Sequence, residues 1–199
     1  MRFMPNEIYH VYNRGNNSQR IFITKANYQF FLGKIRKSLL SDCDIIAYCL
    51  MPNHFHLLLQ AKEQGCKVEG EDPMSVQSLT RKIGLLQSSY ARAIQKQEGI
   101  TGSLFQQKTK AKLIQTNAAP RSNAVAICLH YIHQNPLKAG LVGRLEDWEL
   151  SSYRDYMGYR KDILCNVALG LELCGLDETT FSNDSNAVMR DEIIEKVMY

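Results

Sequence analysis

Two short runs carry residue types able to do chemistry. In Pro52-Asn53-His54-Phe55-His56-Leu57-Leu58-Leu59 one residue separates two histidines. Along a β-strand successive side chains alternate between faces. His54 and His56 would therefore share one side, while Phe55, Leu57 and Leu59 seal a core from the other. Two neutral imidazoles placed in this way can chelate one divalent cation. The plainer alternative is a pair of ordinary polar residues on a half-exposed strand. The H-x-H-x-D-H and H-E-x-x-H patterns of metallo-hydrolases are absent, which argues against a zinc hydrolase. A two-histidine site completed by oxygen ligands and open positions suits Mg²⁺ or Mn²⁺ bound jointly with a substrate phosphate.

The second run is His130-Tyr131-Ile132-His133-Gln134-Asn135-Pro136. On a helix Tyr131 and Asn135 lie one turn apart on one face, whereas His130 and His133 point roughly 100–160° away and are expected at the surface or behind the site. A phenol is a poor nucleophile near neutral pH and needs a nearby cation or base, while a phosphodiester needs its charge neutralised before it can be attacked. An ion held by His54 and His56 would do the second task, and Asn135 could lend it an amide oxygen. An arbitrary tyrosine at such a position is more often a core residue with its hydroxyl at the rim.

The elements that must carry these residues can be read from patterning. A strand is expected over Glu7 to Asn13, ending at Arg14-Gly15-Asn16-Asn17, and a helix from Thr24 to about Leu40 on the stripe Tyr28, Phe31, Ile35 and Leu39. Strands over Asp44 to Met51 and His54 to Gln60 join at Pro52-Asn53, and a helix follows from Ser75 to about Gln97, closed by Gly99. A strand over Ser103 to Gln115 would place Lys108, Lys110 and Lys112 on one face. The tyrosine helix is expected from Ser122 or Asn123 to Asn135, where Pro136 should stop it. A short helix is expected within Trp148 to Tyr159, and two more over Ile163 to Cys174 and Ala187 to Met198 around a polar stretch, Asp177 to Asn186. The order βαββαβα favours an α+β fold around an antiparallel sheet.

With 199 residues, 45% of them hydrophobic, the chain suits one compact core with a short extension. No run approaches the roughly 20 apolar residues of a membrane span, and the N-terminus lacks a signal-peptide pattern, so a cytoplasmic protein without a membrane partner is expected. Six scattered cysteines without a C-x-x-C pair suggest reduced thiols. The net charge of +4 hides a division, with residues 1–145 strongly basic and residues 146–199 acidic. A basic body suits a polyanion. Arg14, Arg81, Lys82, Lys108, Lys110 and Lys112 are the candidates for phosphate contacts.

Together these pieces resemble a known family, the REP-associated tyrosine transposases among the single-tyrosine HUH transposases. The segments that carry the resemblance are Tyr9-His10-Val11-Tyr12-Asn13-Arg14-Gly15, Met51 to Leu58, Gly102-Ser103-Leu104-Phe105-Gln106, Tyr131 to Val142 and Trp148-Glu149-Leu150-Ser151-Ser152-Tyr153, in the family's order. The resemblance implies a ferredoxin-like antiparallel sheet of HUH endonuclease type over residues 1–158, followed by an acidic helical appendage over 159–199. It implies metal ligation by His54, His56 and Asn135. It also implies a nucleophilic Tyr131 that cleaves and rejoins single-stranded DNA at hairpin-associated sites through a covalent 5′-phosphotyrosine. A homodimer with the site assembled in trans is compatible with it, and so is a domesticated, catalytically silent hairpin-binding protein. Tyr153, Tyr156 and Tyr90 are assigned to packing.

Overall fold

The computed structural model describes residues 1–68, 75–115 and 124–187. Four strands, β1 (Ile8–Arg14), β2 (Cys43–Met51), β3 (His54–Ala61) and β4 (Lys110–Gln115), form an antiparallel sheet in the order β2-β3-β1-β4. The helices are α1 (Lys25–Leu39), α2 (Glu63–Cys66), α3 (Ser78–Glu98), α4 (Ala124–Lys138), α5 (Tyr153–Tyr156), α6 (Val167–Cys174) and α7 (Phe181–Asn186). The architecture is α+β with a ferredoxin-like strand order. No helix among the described residues is long and apolar enough to cross a membrane.

Strand alternation divides the interior into two layers. Tyr9 and Val11 of β1, with Phe55, Leu57 and Leu59 of β3, face α1 and α3, meeting Phe31, Ile35, Leu79, Ile83 and Tyr90. On the opposite side Ile8, Cys49, Met51 and Leu58 pack beneath Val125, Cys128, Leu129 and Ile132 of α4. Because side chains alternate, His10 and Tyr12, His54 and His56, and Lys110 and Lys112 belong to this α4 side. Asn27 Oδ1 accepts from the Thr24 amide at the start of α1, and Gly99 closes α3 in the left-handed conformation at φ 65°.

Several elements depart from the sequence-based expectation. The helix α4 runs through Pro136 to Lys138 rather than stopping at Asn135. A proline removes only one intrahelical bond this close to the end, and the Pro136 carbonyl still accepts from Leu141 as Gly140 turns the chain at φ 66°. The expected start of this helix, at Ser122 or Asn123, lies outside the described residues. β4 begins only at Lys110, so Lys108 lies in a bend and does not share a strand face with Lys110 and Lys112. The preceding segment pairs with the end of β1 only through an isolated bridge from Phe105 to Gly15, with the Gln106 amide donating to the Arg14 carbonyl and the Asn16 amide to the Leu104 carbonyl, and side chains add to the hold. Asn13 Nδ2 donates to the Gln106 carbonyl, to Thr109 Oγ1 and to Gln87 Oε1. Within Trp148 to Tyr159 only Tyr153–Tyr156 is α-helical, and the polar stretch Asp177 to Asn186 contains a helix of its own, α7. The helix expected over Ala187 to Met198 lies outside the described residues, apart from Ala187.

In the C-terminal segment, Leu164 and Cys165 join the core layer of α1 and α3, whereas α6 and α7 pack on the α4 side of the sheet. Phe181 is buried and stacks on Tyr156 at 4.7 Å, and Gln134 Nε2 donates to the carbonyls of Ser185 and Ala187. His130 and His133, expected at the surface or behind the site, are buried on this side. His133 Nε2 meets Ser152 Oγ at 2.7 Å and His130 Nδ1 meets Ser185 Oγ at 3.1 Å.

At the end of β1 the chain turns against backbone. The Gly15 amide donates to the Asn53 carbonyl, and a Cβ at Gly15 would come to 2.1 Å from the Gln19 carbonyl oxygen. Gly15→Ala should destabilise the fold by about 1–3 kcal/mol, as overpacking does. The midpoint of urea unfolding checks this, and an unchanged midpoint would contradict the crowding.

Candidate functional site

The antiparallel register of β1 and β3 sets Tyr12 opposite His56 and Arg14 opposite His54. On the other flank of β1, β4 sets Lys112 opposite His10 and Lys110 opposite Tyr12. One patch of sheet thus carries two histidines of β3, a histidine and a tyrosine of β1, an arginine and two lysines. α4 lies over it because the Cys128, Leu129 and Ile132 side is apolar and buries against Cys49, Met51 and Leu58.

This packing brings Tyr131 to the histidines. Its ring stands edge-on to His56 with centroids 5.7 Å apart and planes at 85°, and 6.5 Å from His10. His54 and His56 lie 4.9 Å apart with perpendicular rings. One turn beyond Tyr131, Asn135 donates from Nδ2 to the Tyr131 carbonyl and hydrogen-bonds with His54. Four residues named from sequence, His54, His56, Tyr131 and Asn135, therefore meet within one chain. His54 also bonds through Nδ1 to Asn53 Oδ1 at 2.6 Å.

Two further residues join this cluster, His10, for which the sequence suggested no chemical role, and Tyr12, a candidate for stacking single-stranded bases. His10 is buried and shares a 2.8 Å hydrogen bond between its Nε2 and His56 Nδ1, and Tyr12 stacks on His10 at 4.6 Å. The signal that could have found them is the alternation His10-Val11-Tyr12, which puts both on the face opposite Val11. That this face meets His56 depends on strand pairing. Tyr9 and Phe105 are buried in the other core layer.

The cations fall into two groups. Arg14 and Lys110 are exposed and Lys112 half-buried beside the histidines, and Lys108 is exposed in the bend before β4. Arg81 and Lys82 sit on α3, beyond the opposite face of the sheet, and Lys82 Nζ is held 2.5 Å from the buried carboxylate of Asp42. The structure does not bring these two to the histidine cluster.

The donor set fits a hard divalent ion in composition, with two imidazole nitrogens and an amide oxygen. His56 Nε2 is buried without a hydrogen-bond partner, an open lone-pair position of the kind an ion would fill. Among the described residues no group of three or more His, Cys, Asp and Glu side chains is arranged to hold a metal alone, so further ligands would have to come from substrate or water.

Burial keeps these imidazoles uncharged. It pushes His54 down to about 4, with Arg14 adding repulsion and the bond to Asn135 opposing. His10 is lowered to about 3, by burial first and by Lys112 second. His56 lies well below 6.5, through burial and then the neighbouring His10 and His54. His130 and His133 are likewise lowered by burial. An unfolded chain takes up protons on His10 and His54 near pH 6.5, whereas the folded chain resists until about pH 3 and about pH 4 respectively. The stabilisation is complete above 6.5 and is lost as pH falls. Each fully shifted histidine contributes a slope of up to about 1.4 kcal/mol per pH unit. Urea unfolding at pH 5 should therefore have a clearly lower midpoint than at pH 7, and equal midpoints would refute the buried neutral state.

No model of a known protein family matches the chain. A curated protein of Haemophilus influenzae, provisionally named a REP-associated tyrosine transposase, is 24% identical over 144 residues, covering 65% of this chain and 73% of the relative. A solved structure of a REP-associated tyrosine transposase bound to a REP hairpin superposes with a TM-score of 0.59 at 17% identity, over 84% of this chain and 90% of that one. That second likeness is one of fold. The chain is thus similar in sequence to one protein of that name and in fold to another.

Proposed function

We infer that the chain cleaves and rejoins single-stranded DNA at hairpin-associated sites, with Tyr131 as nucleophile. The observation that carries this reading is the convergence across the α4–sheet contact. A tyrosine ring stands 5.7 Å from His56, and Asn135 on the same helix face reaches His54. The hairpin-bound state of the structural neighbour supports the choice of DNA substrate.

In the proposed step Tyr131 Oη forms a bond to the scissile phosphorus as the bond from phosphorus to the 3′-oxygen breaks. The phenolic proton leaves to solvent or the departing oxygen, giving a 5′-phosphotyrosine and a free 3′-hydroxyl. Attack by a 3′-hydroxyl on the same phosphorus reverses the chemistry and rejoins strands. His54, His56 and Asn135 would hold Mg²⁺ or Mn²⁺, which when bound supplies charge neutralisation at the phosphate. The helix α4 fixes the distance of the phenol from the histidines, since Cys128, Leu129 and Ile132 anchor it to the sheet. Arg14, Lys110 and Lys112 line the same face and would position the phosphate backbone. Because the tyrosine and histidines meet within one chain, the site needs no second copy.

Incubation with single-stranded hairpin oligonucleotides and Mg²⁺ or Mn²⁺ should give a covalent protein–DNA adduct that survives denaturing electrophoresis. Tyr131→Phe should abolish it. His56→Ala, which removes a ligand outright, should lower its yield by more than the about 10–100-fold typical of losing a ligand's support. An adduct that persists in Tyr131→Phe would sink the nucleophile assignment. A wild-type chain that binds hairpins tightly yet never forms an adduct would favour the silent binding protein.

Lys110→Ala and Lys112→Ala should each weaken hairpin binding without altering sequence preference. Each should also reduce the slope of log K against log salt by about 0.7–0.9. A salt titration by fluorescence anisotropy reads both effects, and unchanged slopes would remove these lysines from the interface.

A further inference from the structure

We propose that His10 is the positioning residue for His56, accepting the Nδ1–H of His56 on its own Nε2 and so leaving His56 Nε2 unprotonated for a divalent cation. The inference rests on the reading of His56 as a metal ligand and adds to it the group that orients that ligand.

The argument begins with geometry. The two ring nitrogens are 2.8 Å apart, the planes differ by 13° and the centroids lie 5.0 Å apart. That separation matches two ring radii plus the hydrogen bond, so the rings lie nearly edge to edge and the bond runs along a lone pair in the ring plane. Only one proton can occupy the line between them. If His10 supplied it, His56 would carry its proton on Nε2, and a buried donor would point to where the cation is to bind. If His56 supplies it, Nε2 presents a lone pair. That atom is left without a partner, as is His10 Nδ1, which in this arrangement carries the proton of His10.

A metal-bound histidine nearly always donates its second N–H to an acceptor, which fixes its tautomer and ring orientation. Carboxylates and backbone carbonyls usually fill that place. Here the acceptor is another imidazole, set by the β1–β3 ladder, which pairs Tyr12 with His56 and leaves His10 as the diagonal cross-strand neighbour. His10 is itself held in place. Tyr12 stacks on it at 4.6 Å with planes 20° apart, and its side chain is 2% exposed. A buried imidazole without another role in the site is thereby explained, and so is the motif Tyr9-His10-Val11-Tyr12, in which alternate residues serve opposite faces of the sheet.

The test reads metal affinity and protonation separately from DNA cleavage. Mn²⁺ binding to the full chain, followed by the electron paramagnetic resonance signal of free Mn²⁺, should weaken by about 10–100-fold in His10→Phe. His10→Gln, which returns an acceptor oxygen, should recover most of that loss. Long-range ¹H–¹⁵N NMR of the Mg²⁺-loaded wild type should show His56 protonated at Nδ1. An unchanged Mn²⁺ affinity in a folded His10→Phe overturns the proposal and leaves the metal reading intact. Should His10→Phe fail to fold, the wild-type NMR decides, and a His56 with no proton on Nδ1 overturns it. A wild type that binds neither ion overturns the metal reading and this proposal together.

Discussion

The register between β1 and β3 is the constraint on which the rest of the molecule depends. It sets Tyr12 opposite His56 and Arg14 opposite His54, and it is held on both sides, since β1 is flanked by β3 and β4. A slip of one residue in a strand exchanges its faces. It would drive His10 and Tyr12 into the layer occupied by Phe31, Leu79 and Tyr90, and turn Tyr9 and Val11 toward α4. The apolar set Phe55, Leu57 and Leu59 makes the corresponding slip of β3 equally costly, because burying an imidazole without partners is far less favourable than burying a leucine. The core on one side of the sheet thereby fixes the chemistry on the other.

The second layer converts that flat patch into a site. A sheet face alone would leave its histidines solvated and near their ordinary pKa. α4 covers them, which lowers His54 and His56 by desolvation, and the same apolar contact delivers Tyr131 and Asn135. Burial, ligand basicity and placement of the phenol thus share one cause, the packing of Cys128, Leu129 and Ile132 on the sheet. α6 and α7 lie beside α4, and Gln134 ties the helix to the chain after Ser185. The acidic C-terminal region therefore contributes to the surroundings of the tyrosine helix through its described residues.

Charge is organised less simply than the division along the chain suggests. The basic region supplies cations to both sides of the sheet, and their fates differ. Lys110 and Lys112 alternate outward on β4 toward the histidine side, while Lys82 neutralises Asp42, whose carboxylate also accepts from Ser78 Oγ in the other layer. A buried carboxylate needs such partners, and a nearby lysine meets that need before it can serve a ligand. Net charge counts all three lysines alike, and only their neighbours separate them.

The sequence by itself determined the local facts. Alternation around His54-Phe55-His56 placed both imidazoles on one face, helical spacing put Tyr131 and Asn135 one turn apart, and the apolar stripes of α1 and α3 named most of one core layer. These are properties of period 2 and period 3.6, and a single segment displays them. Local rules misjudged Pro136, because a proline near the end of a helix removes one hydrogen bond that tertiary packing of α4 outweighs. They extended β4 back to Ser103, because the chain bends at Gln107 and Lys108 and so breaks the ladder between Lys110 and the isolated bridge of Phe105 with Gly15. Only the tertiary structure decided that His10 bonds to His56, that Tyr131 stands over that pair, and that Lys82 belongs to Asp42. Each of these joins residues tens of positions apart, and such distances are set by register and helix docking, which no local periodicity encodes.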